Sequence, residues 1–183
     1  MTSTVQAQAR NADPDAAAAA AAATPRLLSW FERIPESLIA LLARFSIAAT
    51  FWTSGQTKVE GFALNLVTGE FALGWPRLSA SAIDLFRDEY KLPLLPPELA
   101  AILAATAEHA LPLLLLLGLG TRLASLGLLG MTAVIQLLVY PGAYATHGVW
   151  AALLLWLMRR GGGSFSLDHL IARAAAPRRA PGG

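Results

Sequence analysis

Four stretches of the chain are apolar on nearly every side: residues 38–57, 98–117, 123–140 and 145–159. About 20 helical residues at a rise of 1.5 Å cover the ~30 Å hydrocarbon core of a bilayer. The first three stretches meet that length. The fourth has a shorter apolar heart, His147 to Met158, and spans only if its helix begins near Tyr144 or the bundle is tilted or thinned. The pattern predicts an all-α membrane protein, a four-helix transmembrane bundle with an extracytoplasmic loop between helices 1 and 2.

Between the first two stretches the period changes. Phe62, Leu64 and Leu66 alternate with polar or small residues, as do Phe71, Leu73 and Trp75, and Thr68-Gly69 lies between the runs. This predicts a hairpin with one apolar face. Ile83, Leu85, Phe86 and Tyr90 interleave with Asp84, Arg87, Asp88 and Glu89, the pattern of a short amphipathic helix. Pro93, Pro96 and Pro97 lead into the second span. The whole loop, 58–97, is expected to fold back over the outer mouth of the bundle.

The ends differ from the middle. Residues 1–23 are alanine-rich, offer no amphipathic face and are expected to be disordered. Thr24-Pro25 resembles an N-cap with proline in the first turn, so 24–35 is read as an interfacial helix. Residues 36–171 form the bundle proper. Gly161-Gly162-Gly163 stops the fourth helix, and Ser166 caps a last short helix with Leu167, Leu170 and Ile171. Residues 172–183 are read as a flexible tail.

Composition sharpens this picture. Of 183 residues, 55% are hydrophobic and only 14% are charged. There is no cysteine, which excludes disulfides, thiolate metal sites and iron–sulfur clusters on this chain. A formal charge of +2 gives no reason to expect nucleic acid as a partner. The placement of basic residues says more. With four crossings, Arg10, Arg26, Arg33, Arg122, Arg159, Arg160, Arg173, Arg178 and Arg179 share one side, against Lys58, Arg77, Arg87 and Lys91 on the other. The positive-inside rule then makes both termini cytoplasmic.

Candidate chemistry comes from polar residues inside the apolar runs. Arg44 lies in the first span and Glu108 in the second, at depths of about 9 and 14 Å from the cytoplasmic boundary by helix rise. An unpaired charge there costs at least ~2.5–3.5 kcal/mol, so an Arg44–Glu108 pair is the natural expectation. It is read either as a clasp between helices or as a proton or quinol acceptor tuned by the arginine. His109 points about 100° away from Glu108. The polar pocket expected from sequence comprises Arg44, Glu108, His109, Gln136 and His147, with Arg44 and Glu108 the catalytic candidates. The three histidines, His109, His147 and His169, fall at different depths, so no metal site is expected. Pro112 withholds a hydrogen bond from the Glu108 carbonyl and predicts a kink there.

These residues also carry a family resemblance. Arg44-Phe45, Gly55-x-x-Lys58, Leu85-Phe86 through Pro96-Pro97, Glu108 with Pro112, Gly118-Leu-Gly120-Thr121-Arg122 and the run from Met131 to Pro141 together resemble the DoxX family of small four-helix membrane proteins, over roughly residues 38–171. The resemblance implies an integral inner-membrane protein. It implies an accessory or anchoring subunit, with other membrane or membrane-associated redox or stress-response proteins as partners beside the lipid bilayer. No cofactor is expected on this chain itself, though a quinone contact is consistent with the family. The alternatives are a quinol or thiosulfate:quinone oxidoreductase component, and a small transporter or permeability factor. The chain is read as not an enzyme on its own.

Overall fold

The apolar runs become helices that bury alanines together with a few leucines, Ile47 and Phe51, and leave many other large apolar side chains outward. In the computed structural model, residues 30–65 and 69–176 are described. Residues 1–29 and 177–183, and with them the alanine-rich segment, the Thr24-Pro25 cap and the end of the tail, lie outside the described residues. Residues through Glu36 form one unit and those from Ser37 another. In the first, Phe31–Arg33 make a single tight turn, and the Arg33 guanidinium lies 5.3 Å over the Trp30 ring.

The order of elements from there is α1 (Glu36–Gln56), β1 (Val59–Asn65), β2 (Glu70–Leu78), α2 (Ala80–Asp84), α3 (Pro97–Leu117), α4 (Thr121–Val134), α5 (Tyr144–Arg160) and α6 (Leu167–Ala175). Wider turns over Leu85–Tyr90 and Ile135–Val139 prolong α2 and α4. The last helix thus runs four residues into the segment read as tail. Its N-cap is Ser166, whose hydroxyl accepts from the His169 N–H, as its position predicted.

One core joins the four long helices: Ala40, Ala43, Ile47 and Phe51 of α1, Leu115 of α3, Ala124 and Leu128 of α4, and Leu154 and Leu157 of α5. In α1 the buried positions recur every three or four residues and are mostly alanine or glycine. That is the packing of membrane helices, where close backbone approach replaces hydrophobic drive. Leu42, Phe45, Leu103, Leu123, Leu137 and Val149 face outward and are exposed. Among the described residues, three helices are long and apolar enough to cross a membrane: α1, α3 and α4 with its extension to Val139. At 17 residues α5 is shorter, about 25 Å. Helix α3 continues unbroken through Pro112.

The hairpin forms, with Phe62 opposite Leu73 and Leu64 opposite Phe71, and a bulge after Glu60 where Gly61 takes a φ of 82°. Its strands run back along the flank of α1 and α3, where Leu64 and Asn65 lie beside Phe45, Ala48 and Pro112. The reason lies at Leu64 on the free edge of β1. Its N–H donates to Gln56 Oε1 at 2.7 Å, and its carbonyl accepts from Trp52 Nε1 at 2.9 Å. An open strand edge beside a membrane helix is tolerated only where protein groups meet its backbone. The turn after α2 packs on the beginning of α3, through Phe86 against Ala100 and Ala101 with Leu78 of β2 beside them, and its Tyr90 meets Tyr140 beyond α4.

Candidate functional site

Lys58 follows α1 directly. Its N–H closes on the Gly55 carbonyl at 2.9 Å, which turns the side chain back into the bundle. The ammonium donates to the carbonyl and hydroxyl of Ser54 at 3.2 and 3.1 Å. It also lies 2.7 Å from Glu108 Oε2, an ion-pair contact whose angle falls outside that of a directed hydrogen bond. Both residues are 3% exposed. Gly55 makes this approach feasible, because a Cβ there would fall 3.0 Å from the Glu108 Cβ and 2.9 Å from the His109 ring.

Arg44 is therefore not the partner of Glu108, and the expected pair does not exist. The Arg44 side chain runs to the opposite end of the bundle. Its Nε donates to Leu115 O, Nη1 to Gly162 O and Phe165 O, and Nη2 to Leu116 O, all within 2.8 Å. The α3 C-terminus explains the attraction. The last carbonyls of a helix lack intrahelical donors and carry the negative end of its dipole. Gly118, in the left-handed region at φ 68°, lets Gly118 N–H reach Leu115 O and Leu119 N–H reach Leu114 O. Arg44 adds a second donor at Leu115 O, supplies one at Leu116 O, and ties α3 to the α5–α6 connection.

Asp168 completes that end. Its carboxylate accepts from the N–H groups of Gly120 and Thr121 at 2.7 and 2.9 Å, capping α4 from a distant element. Burial pushes the carboxyl pKa up, but those two N–H groups and the nearby Arg44 charge outweigh it. The net value lies below the usual carboxylate range.

His109 lies one position from Glu108 and is used differently. Its Nδ1 meets Ala105 O at 2.7 Å and its Nε2 meets Gln56 Nε2 at 2.8 Å. The Leu64 N–H can only donate, so Gln56 must present its oxygen to it and its amide N–H to the imidazole. A carbonyl can only accept, so Nδ1 carries the proton. The network thus assigns His109 as the neutral Nδ1–H tautomer, with both nitrogens engaged. The ring packs edge-on against Trp52 and Phe62, with centroids 5.0 and 6.4 Å apart.

Beside that ring is a cleft of about 760 Å3 between β2 and α3, with Trp52, Phe62 and His109 as its inner wall. Gln136 and His147 lie apart from it. The Gln136 amide donates to Pro141 O at 2.7 Å, which directs its oxygen to His147 Nδ1, also at 2.7 Å. The Tyr140 hydroxyl donates to Glu89. The five residues expected to share one pocket therefore separate into Arg44 at one end, Glu108 and His109 on diverging networks, and a Gln136–His147 pair. Among the described residues, no group of three His, Cys, Asp or Glu is placed to hold a metal. Sequence reasoning missed Asp168 and counted Lys58 among the basic residues of the outer side. The signal for Lys58 was present in its place three residues after Gly55.

Membrane-length apolar helices, an outward apolar surface and charges satisfied internally define a multi-pass helical membrane protein. The chain belongs to the DoxX family, whose model matches residues 39–141, from the first residues of α1 through α4. No curated protein and no solved structure matches the chain.

Proposed function

We propose that this chain is a four-crossing inner-membrane accessory or anchoring subunit of a redox or stress-response complex, with both termini cytoplasmic. The observation that carries this reading is the use made of its buried charges. Lys58 and Glu108 engage each other and Ser54, and Arg44 engages four carbonyls. These groups tie helices together, which suits a scaffold. Helix α5 supports a fourth crossing by sharing the core of α1, α3 and α4. Arg122, Arg159, Arg160 and Arg173 at one end of the bundle support the orientation.

The test separates scaffold from chemistry. Breaking a buried pair on one side costs about 3–5 kcal/mol. Glu108→Gln is therefore expected to lower the abundance of the protein in membranes, and the exchange Lys58→Glu with Glu108→Lys to restore much of it. Normal abundance of Glu108→Gln together with lost quinone-dependent respiration would place Glu108 in a reaction and overturn the reading.

A further inference from the structure

The cleft between β2 and α3 has a lining that the scaffold reading does not use. Its volume, about 760 Å3, lies in the ~300–1,000 Å3 range of small-ligand sites. Ile102, Ala110 and Leu113 form one wall on the outward face of α3, so the cleft opens toward lipid. Leu73 of β2 overhangs it and is 85% exposed. The aromatic floor offers no free polar atom, because both His109 nitrogens and the Trp52 N–H have internal partners.

Two polar groups in the lining are unengaged. The Arg77 side chain of β2 makes no ion pair or hydrogen bond among the described residues, although Glu60 lies opposite it in the hairpin register. Thr106 of α3 is the second. Thr50 and Thr132 each donate their hydroxyl to the carbonyl four residues earlier, the usual refuge of a threonine on a membrane helix. Thr106 does not, and its hydroxyl has no partner among the described residues. A cation and a hydroxyl donor therefore lie on opposite walls of an apolar, laterally open cleft. A guanidinium that no carboxylate contacts favours an anionic acceptor over a neutral one.

We propose that this cleft binds an acidic amphiphile, with its phosphate or carboxylate head on Arg77 and Thr106 and its acyl chain along Ile102, Ala110 and Leu113. The head can belong to a bilayer phospholipid or to a free fatty acid. The inference goes beyond the accessory-subunit reading and stands without it.

The experiment is native mass spectrometry of the purified full-length chain in neutral detergent. The probes are dioleoyl phosphatidylglycerol, palmitate, dioleoyl phosphatidylcholine and a short-chain quinone. Retention of the phosphatidylglycerol alone assigns the bilayer as source, and retention of palmitate alone assigns a free acid. In either case Arg77→Ala is expected to weaken binding about tenfold and Thr106→Val several-fold, with Arg77→Lys recovering part of the loss. Arg77→Ala removes no internal contact, so unchanged circular dichroism is expected and separates lost binding from lost fold. The proposal fails if neither acid binds. It also fails if Arg77→Ala binds them as the parent does, or if phosphatidylcholine or the quinone binds as tightly as the acids.

Discussion

At the scale of single residues, two glycines decide what the charges can do. Gly55 lets Glu108 and His109 come against α1. Gly118 takes a left-handed backbone and leaves space for the Arg44 guanidinium: a Cβ there would lie 2.5 Å from Ser166 Cβ and 2.9 Å from Arg44 Cζ. Gly118→Ala is expected to cost ~1–2 kcal/mol from the backbone alone, plus displacement of Arg44. Gly130 is the control, since its helical position opens on empty space. There alanine should be neutral or stabilising by up to ~1 kcal/mol. Chemical denaturation of both variants in detergent checks the contrast; equal effects would remove Gly118 from the account. The Arg44 result also shows the limit of reading charges from sequence. An arginine in a span suggests an acid as partner, and Glu108 was the acid at hand. The groups it satisfies are backbone carbonyls at Leu115, Leu116, Gly162 and Phe165. No side-chain pattern advertises them, and two lie about 120 residues away.

At the scale of elements, what was legible was periodic. The alternation around Thr68-Gly69 foretold β1 and β2, and Ser166 foretold α6. The placement of the hairpin was not legible, because it depends on Gln56 and Trp52 reaching one backbone position, Leu64. The α4 cap was equally hidden, since its carboxylate comes from Asp168, 47 residues past Thr121. That cap gives a pH-dependent prediction. The folded pKa of Asp168 is depressed below 3.8, so its contribution is present above that value and lost as pH falls through the lower folded one. Asp168→Asn keeps one acceptor oxygen but loses the other and the charge, and should cost ~1–2 kcal/mol at pH 7. The gap from the parent should close as pH falls below 3.8 through the folded value. A gap unchanged across that window would mean the carboxylate charge does not matter.

At the scale of the whole molecule, the proposed orientation and role depend on four crossings. Three helices have the length; α5 has the core contacts of a fourth but a helix of about 25 Å. If α5 crosses, the turn before it and helix α6 after it face opposite sides of the membrane. The natural absence of cysteine makes this directly measurable. Single substitutions Asp88→Cys, Ala145→Cys, Arg122→Cys and Ala174→Cys can be treated, in intact cells, with a membrane-impermeant maleimide. The expected result is labelling of Cys at positions 88 and 145 from outside, and of 122 and 174 only after permeabilisation. Labelling at 174 from outside together with 145 would show that α5 does not cross and would contradict the bundle on which the function proposed here depends.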